Sequence, residues 1–172
     1  WYAGVQWDMG ELPAGPVSWY AGAEYNDWVY ADKYDAQSEA GNIIGSAGNS
    51  SGGVRDVTAA YIESLVPITE QIELNVAGRF DKYSDFGSAF SPKASLRYQP
   101  LDNLMLRTSW SRSFRAPSLS DLYSADSESA DWAKDYVYCE ANGISAADCP
   151  NRQYTTTRTS NEELKEETAD TW

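Results

Sequence analysis

The chain has 172 residues and a formal net charge of −13, from 26 acidic residues against 13 Lys and Arg, with no His. Phosphate binding needs clustered Lys and Arg, so this balance disfavours a nucleic-acid partner. The lack of His removes the usual general base, the imidazole metal ligand and any Ser/His/Asp or Cys/His catalytic arrangement.

Hydropathy excludes a transmembrane helix but leaves membrane strands open. Mean hydropathy is −0.56, and no run approaches the ~18 apolar residues that a spanning helix needs. A transmembrane strand needs only ~10 residues of alternating character, and the 12 Tyr and 7 Trp suit the aromatic girdles of a barrel. The aromatics also suit a soluble β-sandwich or a carbohydrate-binding domain. Because the sequence begins at Trp1 without Met or a signal peptide, we expect a fragment of a longer protein.

Alternation with a period of two residues predicts about seven strands joined as hairpins. They are predicted at 1–9, 17–26, 54–66, 71–81, 93–99 and 104–115, and a further strand begins near the end of the sequence, within 161–172. The clearest places Ile72, Leu74 and Val76 on one face, opposite Glu73 and Asn75. In the strand 54–66, Glu63 interrupts the apolar side.

The predicted connections are short at one end of the strands and long at the other. Tight turns are predicted at 11–16, 67–70 and 100–103, and long polar loops at 32–53 and 116–165. Outer-membrane barrels show this asymmetry, with short periplasmic turns and long extracellular loops. The loop lengths therefore favour a membrane barrel over a sandwich.

Several segments resemble the TonB-dependent outer-membrane receptors. The most specific are AGRFDKYSDFGSAFSPKASLRYQPLDNLMLRTSWSRSFRAPSL at 77–119, continuing through SDLY to Tyr123, and NEELKEETADTW at 161–172. AGAEY at 21–25 and AAYIESLVPI at 59–68 also resemble segments of the family, and they occur in the order and positions expected for it. Glu162 and Glu166 stand where the family often has Pro, which puts little in doubt about the fold.

The resemblance implies an all-β fold: an antiparallel transmembrane β-barrel segment with long extracellular loops. Residues 1–172 would form part of the barrel domain of a large plugged barrel of about 22 strands. The plug domain and the TonB box would lie outside this sequence. The family implies a location in the bacterial outer membrane, with the membrane lipid and the TonB complex as partners. It implies no cofactor. Its commonest ligand is a ferric siderophore, with haem, cobalamin and glycans as alternatives.

Four charged residues in mid-strand are predicted to face the lumen: Glu73, Arg79, Arg97 and Arg107. There they would hydrate the lumen and hold the plug through salt bridges. Arg115 is expected near the extracellular mouth, where it is a ligand-binding candidate. The alternative is that Arg115 pairs with a carboxylate of the barrel wall.

The loop 116–165 carries the remaining ligand-binding candidates: Tyr123, Trp132, Tyr136 and Tyr138. Their rings could stack on a sugar or a catecholate, or pack the loop against itself. The acidic residues of this loop lack the spacing of a calcium-binding loop, so we predict a solvated anionic loop and no metal site.

Cys139 and Cys149 enclose nine residues of this polar loop, and we predict a disulfide between them. A metal site is the alternative, but it lacks a nearby third Cys or His.

Three other function classes remain to be weighed. A secreted or surface β-sandwich that binds carbohydrate would share the aromatics, and a passive porin or adhesin barrel would share the strands. An enzyme is not expected, because nothing among the acidic residues selects a catalytic pair.

Overall fold

The structure is a computed structural model that describes residues 1–43 and 48–172. Its elements in chain order are β1 (Tyr2–Leu12), β2 (Gly15–Asp32), α1 (Ala36–Glu39), β3 (Ser51–Thr69), β4 (Ile72–Tyr83), β5 (Ser88–Leu101), β6 (Leu104–Arg115), α2 (Leu119–Tyr123), β7 (Ser127–Lys134), α3 (Tyr136–Ala141), β8 (Asn151–Arg158) and β9 (Glu167–Thr171).

Seven strands form one sheet in the order β1-β2-β3-β4-β5-β6-β9. The pairs β1–β2, β3–β4, β4–β5, β5–β6 and β6–β9 are antiparallel, and strands that follow one another in the chain are neighbours up to β6. The prediction of an antiparallel all-β fold is therefore confirmed. The remaining strands, β7 and β8, form a separate antiparallel hairpin.

Contacts divide the chain into two compact units. The sheet unit comprises residues 1–29, 54–118 and 163–172, and the loop unit comprises residues 30–53 and 119–162. The loop unit contains the three short helices and the β7–β8 hairpin.

Side chains alternate between the two faces of a strand, so the registers define a polar and an apolar face of the sheet. The polar face carries Tyr20, Glu24, Tyr61, Glu63, Glu73, Asn75, Arg79, Asp81, Lys93, Arg97 and Arg107. The apolar face carries Trp7, Trp19, Ile62, Leu74, Val76, Phe80, Leu96, Leu106 and Trp110. Glu63 lies on the polar face, where it accepts a hydrogen bond from Asn75 at 2.6 Å. It therefore does not interrupt the apolar side.

The three tight turns are shorter than predicted. The strands are separated only by residues 13–14, 70–71 and 102–103. The predicted turn at 67–70 is wrong in extent, because Pro67 pairs with Glu73 and the ladder continues through a bulge to Thr69. Proline lacks an amide hydrogen, and a bulge is one of the few positions at which a sheet tolerates it.

The two long connections are more ordered than the predicted polar loops. The first contains α1, whose N-terminus is capped by Asp35 accepting from the amides of Gln37 and Ser38. It also includes residues 44–47, which lie outside the described residues. The second, predicted as loop over 116–165, contains α2, α3 and the β7–β8 hairpin.

The described residues bury few hydrophobic side chains. The buried ones are Val57, Ala59, Ala89, Leu122, Cys139 and Cys149. Large apolar side chains stay exposed on the apolar face, including Phe80 at 47% and Leu106 at 53%. The sheet therefore does not enclose a hydrophobic core. Within the described ranges, no helix is long and apolar enough to cross a membrane.

Candidate functional site

The polar face contains an ion-pair network centred on Arg79. Its Nε donates to both carboxylate oxygens of Asp81, at 2.9 and 3.1 Å, and its Nη2 donates to Oε2 of Glu24 at 3.0 Å. The guanidinium also lies 5.7 Å from the centre of the Tyr61 ring. Two carboxylates of the same sheet therefore already neutralise Arg79.

A row of charges crosses three strands of the polar face. The registers place Glu73 opposite Arg97, and Arg97 opposite Arg107. Arg97 lies 3.5 Å from Oε1 of Glu73 and donates to Gln99 at 2.8 Å. Within residues 1–43 and 48–172, Arg107 has no carboxylate within 4 Å.

This row lines a cavity of about 610 Å³ within the sheet unit. Its charged lining residues are Glu73, Lys93, Arg97 and Arg107. Lys93 lies opposite Ser111 and Ala77, and in the described part of the chain it also has no acidic partner within 4 Å. Three of the four residues predicted to face the lumen therefore line this cavity, whereas Arg79 belongs to the other network.

Two opposed glycines make room for tyrosine rings on the polar face. Gly4 pairs with Gly22 in the β1–β2 ladder. A Cβ at Gly4 would meet the Tyr20 hydroxyl, and one at Gly22 would meet the Tyr61 ring at 2.5 Å. The two hydroxyls lie 3.4 Å apart.

A buried ion pair fixes the β4–β5 turn to β3. Nε of Arg55 donates to Oδ2 of Asp85 at 2.7 Å, and the two side chains are only 5% and 3% exposed. The guanidinium lies 5.5 Å from the Tyr83 ring centre and 5.4 Å from that of Phe86. Sequence reading missed this pair because its residues lie 30 positions apart.

Arg115 lies at the end of β6, opposite Glu167 of β9. Its Nη1 is 3.7 Å from Oε2 of Glu167, and both side chains are about three-quarters exposed. The structure thus places Arg115 beside a wall carboxylate and leaves most of its surface accessible.

The four aromatic candidates all lie in the loop unit. Trp132 in β7 is 66% exposed, and Tyr136 in α3 is 56% exposed. Tyr138 is 42% exposed and lies against Arg152, whose guanidinium carbon is 4.8 Å from the ring centre. The Tyr123 ring lies over Gly53, where a Cβ would collide with it.

Trp132, Tyr136 and Tyr138 present accessible rings, but the structure does not assemble them into a stacking platform. The ring contacts found in the described residues include none among these three. Tyr123 lies with its ring against the backbone at Gly53.

Local hydrogen bonds and a disulfide order the loop unit. Cys139 and Cys149 are joined by a disulfide, and the amide of Tyr138 donates to Asp135 at the start of α3. In the β7–β8 hairpin, hydrogen bonds from Thr156 and Ser129 hold the pKa of Asp131 below its usual value. No group of three or more metal-ligating side chains occurs in the described residues.

Comparison with known proteins identifies the family. A family model described as "TonB dependent receptor-like, beta-barrel" matches residues 1–172. The chain therefore belongs to the TonB-dependent receptor β-barrel family, whose members are outer-membrane proteins. This membership removes the soluble β-sandwich as an alternative.

A solved structure shows the same fold. The crystal structure of the siderophore receptor PirA from Acinetobacter baumannii aligns with a TM-score of 0.68 at 19% identity, covering 97% of this chain. The aligned region is 22% of that receptor's chain, so the present chain corresponds to under a quarter of its length. No curated protein matches the sequence.

Sequence reasoning missed several polar-face residues that the structure joins to the predicted ones. Glu24 and Asp81 complete the Arg79 network, and Lys93 completes the charged lining of the cavity. Strand alternation already placed Lys93 on the same face as Arg97. That pattern was sufficient to predict Lys93 together with the other charged residues of this face. The contact from Glu24 to Arg79 spans 55 residues, which no local pattern encodes.

Proposed function

We propose that this chain forms part of the wall of an outer-membrane receptor that captures a ferric siderophore and imports it by TonB-dependent gating. The observation that carries the proposal is the sheet with one charged face and one exposed apolar face. Such a sheet, with few buried hydrophobic side chains, suits lipid on one side and a hydrated lumen on the other.

The polar face would line the lumen and face a plug. Glu73, Arg79, Arg97 and Arg107 supply its charged surface, and carboxylates of the sheet already hold Arg79 and Arg97 in place. Gating would consist of moving the plug through the energised TonB complex. This is transport without bond chemistry or a resident cofactor.

The loop unit would take part in capture. Trp132, Tyr136 and Tyr138 expose rings that can stack on an aromatic or planar part of a ligand. Tyr123 and Arg115 complete the candidate set, with Arg115 retaining accessible donors beside Glu167. The siderophore assignment is supported by the name of the structural neighbour PirA.

Uptake of radiolabelled ferric siderophore by cells carrying the complete receptor tests this function. We expect accumulation that requires both the receptor and an intact TonB complex. Passage of small solutes that persists without TonB would contradict the proposal and indicate an open pore.

Ring removal tests the loop assignment separately. Replacing both Trp132 and Tyr136 by Ala should weaken siderophore binding to whole cells roughly thirtyfold, because two stacking contacts of on the order of 1 kcal/mol each contribute about 2 kcal/mol. Val137→Ala is the matched control, since Val137 is 80% exposed and carries no ring. Equal loss in both variants would mean that general apolar surface, and not stacking, binds the ligand.

A further inference from the structure

Lys82 places a cation on the apolar face of the sheet, two residues beyond Phe80 on β4. In the described part of the chain, no ion pair within 4 Å includes Lys82. Arg112, a cation of β6 on the same face, is by contrast paired with Asp170 at 3.0 Å. Because β3 and β5 flank β4 on its two sides, the wall supplies no further strand next to Lys82.

Hydroxyl groups flank Lys82 on both neighbouring strands. The registers place Thr58 of β3 and Ser88 of β5 directly opposite Lys82. These three side chains, the Lys82 row, are exposed, whereas the opposed residues Asp81 and Ala89 on the polar face are buried. An ammonium group and two hydroxyl groups are the kinds of donor that the oxygens of a phosphate accept.

The Lys82 row lies at the height where a lipid headgroup meets a barrel wall. β4 begins after the short turn 70–71, and Lys82 is ten positions beyond Ile72 along it. At ~3.3 Å per residue and a strand tilt of ~40°, that separation is a rise of about 25 Å. The apolar band of an outer-membrane barrel is about that tall. The row therefore stands at the upper edge of the band, at the end of the sheet from which the long connections extend.

An aromatic pair lies directly below the row. Phe80 and Phe90 are opposed in the β4–β5 ladder and are 47% and 57% exposed. A Cβ at Gly78 would meet the Phe90 ring at 3.2 Å, so the glycine lets this ring lie close to the strand. Phosphate donors above apolar rings suit a molecule with an anionic head and an apolar chain, which a free phosphate lacks.

We infer that the Lys82 row binds the phosphate group of an outer-leaflet lipid, whose acyl chains lie over the aromatic pair. The inference rests on the proposed function, in which the apolar face meets lipid, and adds a specific lipid site to that face. Asp56 lies two residues from Thr58 on the same face, but its carboxylate already accepts a hydrogen bond from the Tyr25 hydroxyl at 3.3 Å. The phosphate is thus the counter-charge that the wall itself does not give to Lys82.

Native mass spectrometry of the complete receptor in detergent, titrated with lipid A, tests the site. We expect Lys82→Gln to weaken lipid A binding about fivefold, since one Lys beside an anionic membrane surface contributes ~1 kcal/mol. Ser88→Ala should weaken it about threefold at unchanged charge, through the loss of one hydrogen bond. Lipid A stripped of both phosphates should bind the wild type and Lys82→Gln equally, because the acyl chains remain.

Lys93→Gln is the matched control. It removes the same charge from β5, but from the polar face, and should leave lipid A binding unchanged. Equal weakening by Lys82→Gln and Lys93→Gln would show that net charge alone attracts the lipid, and would overturn the inference. Unchanged lipid A binding in Lys82→Gln would overturn it as well.

The outcomes separate this inference from the proposed function. A receptor that imports siderophore through TonB, while Lys82→Gln binds lipid A as tightly as the wild type, contradicts the lipid site alone. Exclusion of lipid from the whole apolar face contradicts both.

Discussion

Close packing around single residues determines which substitutions the polar face tolerates. Gly4 and Gly22 are opposed in the β1–β2 ladder, and tyrosine rings occupy the space above each of them. The two sites differ in what a Cβ would meet. At Gly4 the three nearest atoms all belong to the Tyr20 side chain, whereas at Gly22 one of the three is the backbone oxygen of Ala3 at 2.9 Å.

Gly22→Ala should destabilise the receptor more than Gly4→Ala. A tyrosine ring can rotate away from an added methyl group, but the strand backbone at Ala3 cannot move without disturbing the ladder. We expect a loss of about 1–3 kcal/mol for Gly22→Ala, typical of an overpacked site, and a smaller loss for Gly4→Ala. Urea midpoints of the complete receptor measure both, and equal midpoints would mean that the backbone contact is relieved.

Asp131 gives the loop unit a pH dependence at the residue scale. Hydrogen bonds from Thr156 and Ser129 lower its pKa below the ordinary value of 3.8. A group with a depressed pKa in the folded state stabilises that state above its ordinary pKa, and the stabilisation is lost as pH falls through the depressed value. The β7–β8 hairpin should therefore loosen below pH 3.8 and not at neutral pH.

Hydrogen–deuterium exchange of residues 127–134, corrected for the intrinsic effect of pH, measures this loosening. In the Asp131→Asn variant the acid-dependent step should be absent. A step of the same size in that variant would show that another group controls the hairpin.

Ion pairs link separate elements of the sheet unit, and the burial of each pair determines how much it contributes to stability. Arg55–Asp85 joins β3 to the β4–β5 turn with both side chains almost fully buried. Arg112–Asp170 joins β6 to β9 at 3.0 Å, but about half of each side chain is exposed. Water and ions screen the second pair and not the first.

Asp85→Asn should therefore cost about 3 kcal/mol, because it leaves the Arg55 cation buried without a counter-charge. Asp170→Asn is the control and should change stability little, since its partner is solvated. Thermal unfolding of the complete receptor in detergent compares the two variants. A similar shift for both would mean that the Arg55 site is open to water.

At the scale of elements, alternation predicted the sheet strands well because each has two distinct faces. It failed for β7 and β8, whose sequences, SESADWAK and NRQYTTTR, are polar on both faces. It also ended β3 too early, since Pro67 usually marks a turn and is here accommodated by a bulge.

At the scale of the whole molecule, family motifs and loop lengths were enough to predict the barrel. The ion pairs between side chains of its polar face were not predictable. Whether Arg79 or Arg107 has a counter-charge depends on which distant strand lies beside it. Strand alternation therefore predicted that Glu73, Arg79, Arg97 and Arg107 share one face of the sheet, but not which of them pair with a carboxylate.

The central claim is that the apolar face meets lipid while the polar face meets a hydrated lumen. Single-cysteine scanning along β4 of the complete receptor in lipid vesicles tests it most directly, with fluorophores at Leu74 and Val76 compared with Asn75 and Ala77. We expect lipid-borne nitroxides to quench the first two positions and a water-soluble quencher to reach the second two. Water access to all four positions, or shielding of Leu74 and Val76 from lipid, would contradict the account.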